Sequence, residues 1–205
     1  CNIASSCMYP ANIKQPLKEE YLMSGKLENT NQAFAIAKLA SYYLCDSFNK
    51  QFKTNFITVI PTNYYGPSDK FDVNNSHVIS SLIMKLDFAK KNKKNDVEIW
   101  GSGKPLREFI YIEDLINGIY FLMKNYNDTK PLNIAGGKII TIKNLAIKLA
   151  KIIKYNGKLK FNKNYPDGMF KKYLDSSMIK KLGWKPHFNL DQGLKSTFEW
   201  YQKKS

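Results

Sequence analysis

Hydrophobic positions along the chain alternate between short β-branched runs and longer stretches of helical spacing, a pattern that predicts α/β architecture. Residues 33–48 carry helix formers without proline or glycine, enough for several turns. N-F-I-T-V-I-P at 55–61 has the composition of a strand buried on both faces and stopped by proline. Residues 63–76 predict a loop, and Ser76 is expected to cap a helix whose apolar positions Val78, Ile79, Leu82, Ile83 and Leu86 share one face. The lysines at 90–94 end that helix. V-E-I-W predicts a short strand, G-S-G-K-P a turn and R-E-F-I-Y-I another strand, with Asp114 expected to cap a helix over 115–124. P-L-N-I-A-G-G predicts a further strand and turn. The next helix is expected to turn Ile142, Leu145, Ile147, Leu149 and Ile152 mostly inward. A small α/β tail follows, ending in a helix around 194–201.

The 205 residues suffice for a real core, and 43% apolar with 14% aromatic content fits a folded chain rather than a disordered one. A net charge of +15 raises the question of nucleic acid, because basic surfaces release counterions from phosphate. The lysines, however, are scattered through every predicted element and Arg107 is the sole arginine, so a solvated surface and an anionic small ligand are expected instead. Cys1, Cys7 and Cys45 have neither disulfide-framework nor metal-ligand spacing, which predicts a reducing, cytoplasmic setting and no metal site. No apolar run approaches the roughly 20 residues of a membrane span. The opening C-N-I-A-S-S-C-M-Y-P does not begin with methionine and has no preceding turn, as in a strand entered midway, so a preceding segment is expected.

S-S-C-M-Y-P, F-A-I-A-K, P-T-N-Y-Y-G-P, N-S-H-V-I, W-G-S-G-K-P-L-R-E-F-I-Y-I-E-D and P-D-G occur in that order, and together they resemble the GDP-L-fucose synthases, extended short-chain dehydrogenase/reductases. Each motif alone is weak; the series is specific and runs over nearly the whole chain. The resemblance implies a homodimeric, NADP(H)-dependent enzyme that epimerises a GDP-linked 4-keto-6-deoxy sugar at C3 and C5 and then reduces C4. It also implies a glycine-rich turn where a helix N-terminus meets the cofactor pyrophosphate, and no such turn occurs here. The chain is therefore expected to be the later part of a Rossmann-type doubly wound parallel sheet plus a smaller α/β substrate-binding lobe, with about a hundred earlier residues absent. The expected division is 1–65 and 107–130 for the dinucleotide-binding domain, and 66–106 and 131–205 for the nucleotide-sugar domain.

Reducing a ketone requires hydride on carbon and a proton on oxygen, hence an acid within hydrogen-bond reach of that oxygen. By the resemblance, a tyrosine supplies the proton, a lysine four residues later lowers its pKa and holds the nicotinamide ribose, and a serine binds the same oxygen. Ser5 and Lys38 match; the tyrosine position holds Phe34, which has no hydroxyl. The loss is expected to cost about 10²–10⁴ in rate. Cys7 and His77 match the acid/base pair for epimerisation, and both side-chain types can titrate near neutrality. The resemblance further assigns Pro61, Thr62, Asn63 and Tyr64, with Lys38 and His77, to cofactor contacts, and Lys85, Trp100, Arg107 and Asp167 to the substrate. Lys85 departs from the arginine common there, keeping the charge without the bidentate fork. A GDP-4-keto-heptose C4 reductase and a catalytically silent nucleotide-sugar binder are the alternatives.

Overall fold

A computed structural model describes residues 1–72 and 75–204. In chain order the elements are β1 (Asn2–Ile3), a 3-10 turn (Ser6–Met8), α1 (Gln32–Phe52), β2 (Thr58–Pro61), β3 (Asn63–Tyr65), α2 (Val78–Lys91), β4 (Asp96–Trp100) and β5 (Leu106–Tyr111). Then come α3 (Ile112–Asn125), β6 (Leu132–Ile134), β7 (Ile139–Thr141), α4 (Ile142–Ile153), β8 (Lys158–Asn162), β9 (Lys171–Lys172), α5 (Ser177–Lys181) and α6 (Leu190–Lys204). The expected alternation of strands and helices is present. The chain forms two compact units, one of Cys1–Tyr64, Glu108–Gly137 and Lys172–His187, the other of Tyr65–Arg107, Lys138–Lys171 and Phe188–Ser205.

In the first unit β1, β2 and β6 form a parallel sheet in that order, with Ile3 opposite Val59 and Ile60 opposite Asn133. Side chains alternate across a strand, so Val59, Leu132 and Ile134 enter one apolar cluster with Leu115, Leu122, Ile179 and Trp184. Ile60 and Ala135 enter another, with Met8, Tyr9, Leu17, Leu39 and Leu174. Both faces are covered, as the uninterrupted burial of Thr58–Pro61 requires. Gly118 brings α3 onto the sheet, since a Cβ there would lie 2.1 Å from the Ile134 side chain.

Asn133 points to the second face and is fully buried. Its Oδ1 accepts from the Tyr9 hydroxyl at 2.7 Å, its Nδ2 donates to the carbonyls of Leu17 and Asp175 at 2.9 and 3.0 Å, and its backbone N–H donates to Glu19 at 2.9 Å. Burial pushes the Tyr9 phenol well above its ordinary value, with the Glu19 carboxylate adding to the effect. In the second unit β4 and β8 form a parallel pair, Val97 opposite Leu159 and Ile99 opposite Phe161. Leu82, Ile83 and Leu86 of α2, Leu145 and Leu149 of α4, and Leu194 and Phe198 of α6 are buried.

Several expectations are corrected. Ser76 is not the cap of α2: its hydroxyl donates to the Asp72 carbonyl at 2.6 Å, and His77 takes the cap position without a side-chain cap bond. Asp114 lies inside α3, because the helix starts directly after β5, and its buried carboxylate accepts from the His187 N–H at 2.8 Å. Ile147 is 48% exposed, since a residue two places from both Leu145 and Leu149 points away from their face. The segment 63–76 contains a short strand, Asn63–Tyr65; its residues 73 and 74 lie outside the described residues. The compact units also depart from the expected ranges. Residues 131–137 and 172–187 join the first unit, because β6 pairs with β2 while Ile179 and Trp184 complete its core.

Asn133→Leu leaves the Tyr9 hydroxyl and two carbonyls without their buried partner and is expected to lower stability by at least about 2 kcal/mol in urea titration. Tyr9→Phe should cost less, about 1 kcal/mol. A phenol held protonated in the fold favours folding less once the unfolded chain can ionise. Stability should therefore fall as pH rises above the ordinary phenol value of 10.0, and Tyr9→Phe should flatten that fall.

Candidate active site

In the first unit the sequence-assigned residues collect at the carboxyl ends of the parallel strands, the place where open α/β sheets bind ligands. Ser5 follows β1 and caps the 3-10 turn, its Oγ accepting the Cys7 N–H at 3.2 Å. Lys38, on α1, donates from Nζ to the Ile3 carbonyl at 2.8 Å, which ties the helix to the end of the same strand. Phe34 lies one turn earlier, 50% exposed, with the Lys38 ammonium 5.7 Å from its ring centre. Pro61 ends β2, and the Thr62 N–H continues the sheet by donating to Ile134 at 3.0 Å. The Thr62 hydroxyl and the Asn63 amide both donate to the Glu108 carbonyl at 3.1 Å, so these side chains brace the strand end. Tyr64 is exposed.

Glu108 itself is buried, and burial raises its carboxyl above the ordinary range against the opposing effect of N–H donors from Leu174 and Gly137. Sequence reasoning missed Lys172, whose Nζ lies 3.3 Å from the Cys7 sulfur. One lysine of a K-K pair carries no local signal for that contact, which spans 165 positions.

The second unit holds the remaining assigned residues. His77 starts α2, with Nδ1 3.2 Å from an Asp69 oxygen. Lys85 lies eight residues further along the helix, with Nζ 4.4 Å from the Trp100 ring centre and 3.3 Å from the Glu98 carbonyl; desolvation lowers its pKa. Trp100 is 53% exposed and stacks on Tyr165, a residue not assigned from the sequence, at 4.4 Å and 12°. Both Asp167 oxygens are engaged by Ser102, one by its N–H and one by its hydroxyl, each at 2.6 Å. Those bonds, the hydroxyl's first, hold the carboxyl below its ordinary value. Arg107 donates to the carbonyls of Leu106 and Asp167 at 3.0 and 3.4 Å. Gly101 has φ +83°, and a Cβ on it would lie 2.5 Å from Asp167 Oδ1, so the turn admits only glycine there.

The parallel sheet with polar side chains at its carboxyl ends is of the Rossmann type. The chain belongs to the NAD dependent epimerase/dehydratase family, whose pattern matches residues 1–135. It is 43% identical over 197 residues to a GDP-L-fucose synthase of Sinorhizobium fredii, an alignment covering 96% of this chain and 63% of that relative. Among solved structures it resembles a GDP-6-OMe-4-keto-L-xylo-heptose reductase of Campylobacter jejuni, with TM-score 0.92, 33% identity, and 99% and 70% of the two chains covered. It also resembles a GDP-L-fucose synthetase of Naegleria fowleri bound to NADP, with TM-score 0.93, 29% identity, and 98% and 65% covered. The chain thus spans just under two thirds of the length of the curated relatives it matches. No helix among the described residues is long and apolar enough to cross a membrane.

Ser102→Ala removes the leading cause of the Asp167 shift. In an NMR titration the carboxyl of that variant should ionise at higher pH, closer to the ordinary 3.8.

Proposed function

We propose that the chain belongs to an NADP(H)-dependent epimerase/reductase acting on a GDP-linked 4-keto-6-deoxy sugar, weakened by phenylalanine at the proton-donor position. The observation that carries this proposal is the grouping of Ser5, Cys7 and Lys38 at the end of β1, with Lys38 anchored to the Ile3 carbonyl. The Lys38 ammonium has three donors, of which Ile3 takes one, so it fits a ribose hydroxyl beside that strand end. Bound NADPH supplies the hydride for C4. The first unit would contact the cofactor through Lys38 and the 61–64 strand end, and His77 is the cofactor contact expected from the second unit. The second unit would hold the nucleotide sugar through Lys85, Trp100, Arg107 and Asp167. The GDP-L-fucose synthase name of the 43%-identical relative supports this substrate class.

For the epimerisation, Cys7 and His77 take the acid/base roles that the family resemblance gives them: one removes the proton from the carbon beside the ketone, and the other returns one. The Ser5 hydroxyl donates to the carbonyl oxygen as enolate charge develops. In the reduction, a proton must reach O4, and Phe34 cannot supply it. A second substrate, a GDP-4-keto-heptose reduced at C4, is favoured by the likeness to the Campylobacter jejuni heptose reductase and by lysine rather than arginine at Lys85. A silent nucleotide-sugar binder is favoured by Phe34 alone. Exposed Ile36, Leu44, Phe48 and Phe52 along α1 suit burial against a second copy in a homodimer, and three free cysteines suit a reducing cytoplasm.

The complete protein with Phe34→Tyr should oxidise NADPH with GDP-4-keto-6-deoxy-mannose at least about a hundredfold faster than the Phe34 form. No gain with intact ligand binding would favour the silent binder, and gain only with the heptose would favour the second substrate. Deuterium incorporation at C3 and C5 should drop in both Cys7→Ser and His77→Asn. Normal exchange in both would remove the pair from the mechanism.

A further inference from the structure

Three side chains of the second unit form a hydrogen-bonded chain that the sequence motifs do not mark. His77 Nδ1 meets Asp69 Oδ1 at 3.2 Å, and the Ser80 hydroxyl, from the first turn of α2, donates to Asp69 Oδ2. We propose that Asp69 is the positioning residue of His77, fixing the imidazole with its hydrogen on Nδ1 so that Nε2 is the single site where the ring gives or takes a proton. This role rests on the acid/base assignment of His77 proposed above.

The geometry supports it at both ends of the pair. An ionised carboxylate only accepts, so the ring nitrogen facing it must carry the hydrogen, which leaves Nε2 as the reactive position. The His77 side chain is 71% exposed while Asp69 is 13% exposed, so the ring projects outward from a carboxylate seated in the fold. His77 makes no cap bond to α2, and its ring is therefore not engaged by the helix it begins.

Asp69 is held independently of the histidine. Its Oδ1 also accepts the Lys70 N–H at 2.8 Å, its own N–H donates to the Gly66 carbonyl at 3.3 Å, and Ser80, which grips the other oxygen, is fully buried. A carboxylate fixed this way restricts ring rotation, as the carboxylate partner of a catalytic histidine does in hydrolase triads. When His77 acts as acid, the Nε2–H bond breaks and a C–H bond forms on the substrate. The N–H electron pair stays on Nε2, and the ring ends neutral with its hydrogen on Nδ1. When it acts as base the same atoms run in reverse.

The test uses two readouts. Imidazole ¹⁵N shifts of the 205-residue chain should show the neutral His77 ring carrying hydrogen on Nδ1, and Asp69→Asn should shift the population toward Nε2–H. In the complete enzyme with Phe34→Tyr, Asp69→Asn should slow deuterium incorporation at C3 and C5 by about 10–10²-fold, within the range attributable to a positioned acid or base. Ser80→Ala, which leaves the carboxylate in place, should slow it less than Asp69→Asn does. A parent ring with hydrogen on Nε2, or an Asp69→Asn variant with unchanged tautomer or unchanged exchange, overturns the positioning role. If Asp69→Asn shifts the tautomer but His77→Asn exchanges at the normal rate, the acid/base assignment of His77 fails, and the positioning role falls with it.

Discussion

A buried amide must find partners for both its oxygen and its nitrogen, and in this chain one asparagine meets that demand by gathering segments far apart in sequence. Asn133 sits on β6, an end strand of the three-stranded sheet, and takes the Tyr9 hydroxyl and the carbonyls of Leu17 and Asp175, while Glu19 accepts its backbone N–H. The outer side of that end strand is thus closed by a side chain rather than left open for another strand. The segments it holds carry chemistry at their ends. Tyr9 lies two residues after Cys7, and Asp175 three after Lys172, so the constraint that satisfies one buried amide also helps to fix the lysine–sulfur contact. Glu108 repeats the arrangement nearby, with a carboxylate that binds the N–H groups of Gly137 and Leu174 and a carbonyl that anchors Thr62 and Asn63.

What was legible in the sequence followed local periodicity. The fully buried run at Thr58–Pro61, the apolar face of α2 and the α/β alternation each depend on neighbours a few residues away, and the structure contains all three. The helix starts were less legible, because a cap depends on where the preceding chain delivers the backbone. Ser76 turned back to Asp72, and Asp114 was drawn inward by the His187 N–H. Ser5, Cys7, Lys38 and the Trp100 to Arg107 stretch stood out only as members of an ordered series of motifs. Their partners did not: Lys172 with Cys7, Tyr165 with Trp100 and Ser102 with Asp167 are contacts between positions separated by 65 residues or more, and no spacing rule reaches that far.

The second unit shows how such long-range partners shape a surface. Lys85 and Tyr165 both lie against Trp100, and Asp167, two residues beyond Tyr165, grips the turn that follows Trp100. The aromatic surface and the turn beside the sole arginine are therefore mechanically one piece. A ligand that displaced Tyr165 from Trp100 would pull on Asp167, and through Ser102 on the turn that leads to Arg107.

Phe34 has a consequence for heredity. Its ring is half exposed, and the lysine beside it is anchored to a backbone carbonyl rather than to residue 34. Exchanging phenylalanine for tyrosine therefore adds or removes one oxygen at a site where the fold bears little cost either way. The two residues' codons differ at a single base, so on the proposed chemistry a lineage could silence or restore the reaction in one mutational step. Selection would see that step through the product made, and scarcely at all through the stability of the protein.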